Sequence, residues 1–187
     1  MSNLFFTSDH HFGHRNIIRF TDRPFATVEE MDAVMIERWN ERVKPGDIVY
    51  HLGDFSLCSR EETEAILDQL HGSIRLIRGN HDRAAMSCRN RFEWIKDYYE
   101  LKMEASKPGG RRQLVVLCHY ALRVWRSRHH GSYHLYGHSH GTLPDLPDQH
   151  CFDVGVDCHD FYPLSWEEVK ATMATKEWVP PFAKEDR

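Results

Sequence analysis

Five short apolar runs in this chain each end at a side chain able to hold a cation, and this recurrence restricts the fold more than any other feature. Leu4-Phe5-Phe6-Thr7 runs into Ser8-Asp9-His10-His11, and Ile48-Val49-Tyr50-His51-Leu52 stops at Gly53-Asp54. Ser73-Ile74-Arg75-Leu76-Ile77-Arg78 meets Gly79-Asn80-His81-Asp82. Leu114-Val115-Val116-Leu117-Cys118 delivers His119, and Tyr133–Tyr136 ends in Gly137-His138-Ser139-His140-Gly141. Short apolar runs bounded by glycine or turn residues read as buried strands. On an extended backbone, residues two apart leave on the same side, so Asp9 with His11 and His138 with His140 are expected to converge. Taken singly, each cluster also reads as a polar turn.

Helical patterns separate the first three runs. Thr27-Val28-Glu29-Glu30 has the form of a capping box and opens a helix to about Val43, with Met31, Val34, Met35 and Trp39 on one face. Ser59-Arg60-Glu61-Glu62 opens a second, carrying Ile66, Leu67 and Leu70. Strand–helix alternation implies βαβ units and a largely parallel sheet with the polar clusters at its C-terminal edge. Tyr98–Glu104 and Gln113–Cys118 flank Lys107-Pro108-Gly109-Gly110, which predicts a hairpin and a switch to antiparallel pairing. A short helix is placed near Ala84–Cys88 and a strand at Cys151–Val156, ending near Asp157. Ser165-Trp166-Glu167-Glu168 opens a last helix to about Ala174.

At 187 residues the chain suits a single domain over residues 1–187. A net charge of −4 provides no global field for nucleic acid or anionic membrane, so a dedicated duplex binder is not expected. The five cysteines form no C-x-x-C pair and are read as reduced thiols of a cytoplasmic protein. No run approaches a membrane span. Fourteen histidines are many for this length, and imidazole is a frequent metal ligand.

In order, D-x-H at Asp9/His11, G-D at Gly53/Asp54, G-N-H-D at Gly79–Asp82, a strand-end histidine at His119 and G-H-x-H at Gly137–His140 resemble the calcineurin-like metallophosphoesterase superfamily, in particular its small bacterial and phage-type members. The resemblance runs from Asp9 to His140, with an extension through Gly155-Val156-Asp157. It implies an α/β fold, a four-layer αββα sandwich of two mixed sheets flanked by helices. It also implies a metal-dependent phosphoester hydrolase. Asp9, His11 and His140 would hold one ion, Asn80, His119 and His138 a second, and Asp54 would bridge them with its two oxygens. A hydroxide between the ions would attack phosphorus in line, and His81 would protonate the leaving alkoxide.

Oxygen and imidazole donors without thiolate suit Mn²⁺ first, with Fe, Ni²⁺ or Zn²⁺ as alternatives. Ligating histidine must be neutral, so metal binding should weaken below about pH 6. The substrate is expected to be a phosphoester, with a phosphodiester favoured because a chain this compact has little material for a lid. His14 and Arg123 are candidate phosphate contacts. Arg123 begins a cationic stretch with Arg126, Arg128, His129 and His130. One departure stands out: Leu57 occupies the place where phosphoprotein phosphatases carry the aspartate that orients the histidine, leaving Asp82 or a backbone carbonyl for that task. The alternative reading is a non-catalytic interaction module on the same fold.

Overall fold

The computed structural model describes residues 2–104 and 112–180. Two mixed sheets lie face to face. The first has the order β4-β3-β2-β1-β9, built from β1 (Leu4–Thr7), β2 (Ile48–His51), β3 (Ser73–Ile77), β4 (Trp94–Lys96) and β9 (Leu164–Ser165). Its first four strands run parallel and β9 runs antiparallel to β1. The second sheet has the order β5-β6-β7-β8, from β5 (Tyr98–Met103), β6 (Gln113–Cys118), β7 (Tyr133–Tyr136) and β8 (Cys151–Asp153). Here β5 is antiparallel to β6, and β6, β7 and β8 are parallel. The expected hairpin is therefore present in its arms, while Lys107–Gly110 lies outside the described residues.

Side-chain alternation sorts the strands into layers. Phe5, Val49 and Ile74 face α2 (Val28–Arg42) and α3 (Arg60–Leu67), where Met31, Met35, Trp39, Ile66 and Leu67 complete one core. Phe6 and Tyr50 face the other way and meet Val115, Leu117, Leu135 and Phe152 between the sheets, joined by Val169 and Met173 of α5 (Trp166–Ala174). Val116 and Tyr136 point outward from the second sheet and are covered by Trp125. The outer layer there is the segment after β6, with a 3₁₀ turn at Arg128–His130.

Local signals account for the helices. Ser59 and Ser165 form full capping boxes with Glu62 and Glu168. Thr27 forms half of one: its hydroxyl accepts from Glu30 N, but the Glu30 carboxylate reaches back to Ala26 N instead. The short α1 (Ile17–Phe20) and strands β4 and β9 have no counterpart in the sequence reading, whereas α4 (Arg83–Ser87) falls within a residue of its expected place. The strand expected at Cys151–Val156 ends at Asp153, and Val156–Cys158 forms a 3₁₀ turn. Among the described residues no helix is long and apolar enough to cross a membrane.

Several histidines are core groups bonded through at least one ring nitrogen, although His10 Nε2 is buried without a partner. His134 Nδ1 donates to Val116 O at 3.1 Å, and its Nε2 accepts from Leu122 N at 3.0 Å, anchoring the start of the outer layer. His10 turns away from Asp9 and His11 into the helix-side core and meets His51 Nε2 at 2.9 Å through its Nδ1. Burial lowers the pKa of both, and His51 Nδ1 accepts from Gly53 N, so His51 Nε2–H donates to His10.

Trp39 is fully buried and donates through Nε1 to His71 O at 2.9 Å. Trp39→Ala should lower the unfolding free energy by about 3–5 kcal/mol in urea titration, combining a cavity with an orphaned carbonyl.

Candidate metal centre

Thr7, His51 and Leu76 are in register across β1, β2 and β3, so the loops that follow emerge at one edge. The first two of these loops keep pairing beyond the strands: Asp9 N donates to Gly53 O, His11 N to Asp54 O and Phe12 N to Phe55 O, each at 3.0 Å. The second sheet meets the same edge through Val156 N and Ser8 O at 3.0 Å, and Gly137 N donates to His119 O at 2.9 Å.

Convergence of the ligands does not come from extended backbone. Asp9, His11, Asp54, His138 and His140 all have positive φ, between 47° and 69°. Left-handed backbone at a non-glycine residue is uncommon and costs about 1–3 kcal/mol where strained. Asp9 and His11 reach one ligand group, whereas His138 and His140, also two apart, are divided between the two groups.

Two groups of three ligand atoms result: Asp9, His11 and His140, and Asp54, His119 and His138, with the atoms of each group within 4.8 Å of one another. Asn80 joins the second, its Oδ1 lying 3.0 Å from His119 Nε2. All seven expected ligands are thus brought together. Asp54 links the two groups through a single oxygen: Oδ2 lies 3.5 Å from His11 Nε2 and 3.6 Å from His119 Nε2. Its other oxygen, Oδ1, accepts from His81 N at 2.7 Å. Oδ2 thus stands between the two groups, while Oδ1 also holds the backbone of the histidine loop.

Electron pairs face one another here without protons between them. His119 Nδ1–H donates to Leu52 O at 2.7 Å, and burial lowers its pKa, so Nε2 presents a lone pair toward Asn80 Oδ1 and Asp54 Oδ2. His11 is held far below its ordinary pKa, first by burial and then by His140, so its approach to Asp54 is not an ion pair. Asp9 Oδ1 and both His11 nitrogens are buried without a hydrogen-bond partner. Burial raises the Asp9 pKa to about 8 despite the opposing influence of His140. Buried acceptors that are left unpaired are costly, and a cation between them removes the cost. These residues fit a pair of divalent ions. Since His11 is already neutral, the protons that compete with a cation in this group bind at Asp9 and His140.

The sequence reading missed two supports. Arg23 is buried and donates to Asp157 through Nε at 2.7 Å and Nη2 at 2.8 Å, and to the carbonyls of Asp9 and His10 at 2.7 and 2.8 Å. Asp157 Oδ2 accepts from His140 Nδ1 at 2.7 Å, which fixes the tautomer and aims Nε2 at the cluster. Burial lowers the His140 pKa, but the Asp157 hydrogen bond and nearby Asp9 outweigh it and leave the pKa raised. Burial opposes ionisation of Asp157 as well, yet His140 and Arg23 hold it well below the carboxylate range. Gly155-Val156-Asp157 was a visible signal; Arg23 carried none.

Asp82 proves to be a loop clamp. Its oxygens accept from Asp54 N at 3.0 Å, Phe55 N at 2.7 Å and Gly79 N at 2.6 Å. It therefore does not orient His81, whose exposed imidazole makes no hydrogen bond among the described residues. His81 lies beside His11, with ring centroids 5.6 Å apart. His14 also lies beside His11, with ring centroids 5.5 Å apart. Arg123 is exposed and makes no hydrogen bond or ion pair among the described residues. Further along the cationic stretch, Arg126 pairs with Glu100 and Arg128 lies over the Trp125 ring.

Fold and cluster together define a metal-dependent phosphoesterase architecture. The calcineurin-like phosphoesterase superfamily domain matches residues 3–150, and the chain belongs to that family. It is 33% identical to the Gene 66 protein of Mycobacterium phage D29 over 191 aligned residues, covering 88% of this chain and 93% of that protein. An uncharacterized protein of Methanocaldococcus jannaschii is 46% identical over 85 residues; the match covers 44% of this chain and spans about half, 48%, of that relative's length. The crystal structure of a protein of unknown function from Aquifex aeolicus has the same fold, with a TM-score of 0.66 and 24% identity over 92% of this chain and all, 100%, of that one.

Two outcomes test the electrostatics. Arg23→Ala should cost about 3–5 kcal/mol in urea unfolding, since it strands the buried Asp157 carboxylate. With chelator present, the folded chain holds a proton on Asp9 up to about pH 8 while the unfolded chain releases it near pH 4. The Asp9 contribution should then fall as pH rises across that window. The buried neutral histidines contribute with the opposite sign below about pH 6.5, so the Asp9 part is read as the wild-type melt minus that of Asp9→Asn. A difference that is flat from pH 4 to 8 would refute the assignment.

Proposed function

We propose that this protein hydrolyses phosphodiesters with two divalent cations held in the paired cluster. The observation that carries this reading is the position of Asp54 Oδ2, 3.5 Å from His11 Nε2 and 3.6 Å from His119 Nε2. From there one carboxylate can serve both ligand groups. Asp9, His11 and His140 would hold one cation and Asn80, His119 and His138 the other, with Asp54 common to both. Mn²⁺ suits this donor set first, and Fe, Ni²⁺ or Zn²⁺ also fit. Bound there, such ions supply Lewis acidity toward phosphate oxygens and lower the pKa of coordinated water toward about 7.

The chain's own residues do the rest. Asp54 Oδ1 accepts from His81 N at 2.7 Å, so the carboxylate that joins the two groups also pins the histidine turn beside them. In hydrolysis a water oxygen forms the new bond to phosphorus and its proton passes to bulk solvent. The bond to the leaving oxygen breaks with its electron pair on that oxygen, and His81 donates the proton that neutralises it. His14, packed against His11, and the exposed Arg123 are placed in this reading as contacts to the phosphate. The exposure of Asn80, His81 and His138 leaves one side open to solvent, which supports a diester with substituents on both sides.

Bis(p-nitrophenyl) phosphate with added Mn²⁺ tests the reading. Wild type should hydrolyse it, and chelator should abolish the rate. His81→Ala should keep its metal content by elemental analysis while kcat falls about 10²–10⁴-fold. Full activity in that variant would remove the assigned role of His81. No hydrolysis by wild type with any metal would leave a non-catalytic interaction module.

A further inference from the structure

Two clefts flank the turn that carries Asn80 and His81. One, of about 440 Å³, opens on the His81 side and is walled by Ser56, Leu57, Arg60, Arg83, Ala84 and Ser87. The other, of about 650 Å³, lies toward Arg78, Asp97 and Tyr120. Asn80 and Arg83 line both.

Most polar groups around these clefts are already engaged. Ser56 Oγ meets Thr63 Oγ1 at 3.0 Å, and Ser87 Oγ donates to Ala84 O at 2.6 Å. Arg60 Nε pairs with Glu64 at 3.0 Å, and Arg78 with Asp97 at 2.6 Å. Arg83 differs: it is exposed and makes no hydrogen bond, ion pair or ring contact among the described residues. The His81 cleft therefore combines an imidazole with no hydrogen bond, a guanidinium with no counter-charge, and apolar surface from Leu57 and Ala84.

Resting on the phosphodiesterase reading above, we propose that this cleft receives the leaving group, and that Arg83 selects a leaving alcohol bearing a second phosphate. His81 decides which side of the scissile phosphate the cleft serves. The group that protonates the departing oxygen must stand on the side from which that oxygen departs. The planar guanidinium matches a phosphate with two parallel N–H donors. Arg83 lines the same cleft as Asn80 and His81, beside the cluster, and a permanently protonated guanidinium is no ligand for a cation. A phosphorylated nucleoside and a phosphorylated simple alcohol both carry this chemistry; the apolar wall gives the former more to contact.

The test uses dithymidine monophosphate with and without an added terminal phosphate on the departing nucleoside, at the 3′ end in one pair and at the 5′ end in the other. Wild type should favour the phosphorylated member of at least one pair by about 10–100-fold in kcat/KM, the range of a charge-assisted hydrogen bond. In Arg83→Gln that ratio should fall to near one, whatever the variant's absolute rate, and Arg83→Lys should recover part of it. A wild-type ratio near one, or a ratio that survives in Arg83→Gln, overturns the proposal. Calorimetry with chelator present gives a readout independent of turnover, using thymidine monophosphate and glycerol 3-phosphate as probes. Arg83→Gln should weaken at least one of them about tenfold or more. Tighter binding of the nucleotide assigns a nucleoside leaving group, and equal binding assigns a simple alcohol. Loss of neither in the variant overturns the cleft assignment. If bis(p-nitrophenyl) phosphate is inert with every metal, the phosphodiesterase reading fails, and the calorimetry alone decides whether Arg83 binds a phosphorylated alcohol.

Discussion

The loops after β1 and β2 continue to pair when their strands have ended, and the rest of the site depends on that pairing. Three successive bonds, from Asp9, His11 and Phe12 amides to the carbonyls of Gly53, Asp54 and Phe55, hold the two polar loops side by side. Within that frame Asp9, His11 and Asp54 adopt left-handed backbone, which turns their side chains toward one point. The cost of such conformers has to be met by bonds elsewhere. Asp82 supplies three of them, tying Asp54, Phe55 and Gly79 amides to one buried carboxylate. Gly53, at φ 102°, is placed where any side chain would press on Gly79 N and His119 Nδ1 at 2.6 Å, so the turn admits only glycine without displacement.

Electrostatics then follow from burial. Burial holds His11 and His119 below their ordinary pKa and raises that of Asp9, so these three groups present electron pairs to the interior of the cluster. Asp157 is the exception, and it stays ionised because Arg23 and His140 both donate to it. The cluster therefore has a charged brace on one side and unpaired buried acceptors at its centre, an arrangement suited to a cation.

Much of this was legible in the sequence. The strand ends were marked by apolar runs stopped at Gly53, Gly79 and Gly137, and the ordered ligands at those ends, read with the family resemblance, named all seven members of the cluster. Three things were not legible, for physical reasons. Positive φ at Asp9, His11, His138 and His140 comes from tertiary pairing, and local spacing predicted convergence by the wrong geometry. Proximity makes the Asp82 carboxylate, or a backbone carbonyl, a candidate partner for His81, and it cannot reveal that Gly79 N of the same turn and two amides of the loop after β2 claim that carboxylate. Arg23 stands in an irregular stretch with no periodicity, and its role is set by a contact 134 residues away. Strands β4 and β9, three and two residues long, are too short for any periodic signal.

That last separation bears on how the protein is made. A chain emerging from the ribosome can complete β1, β2, β3 and their helices while the segment that holds Asp157 has yet to be synthesised. At about 5–20 residues per second, the delay amounts to several seconds. Over that interval Arg23 can satisfy the carbonyls of Asp9 and His10 but has no carboxylate to neutralise it, so the N-terminal ligand loop is held at one end only. Because Asp157 both closes the brace and aims His140, the cluster can be complete only once this late segment of the chain has joined it.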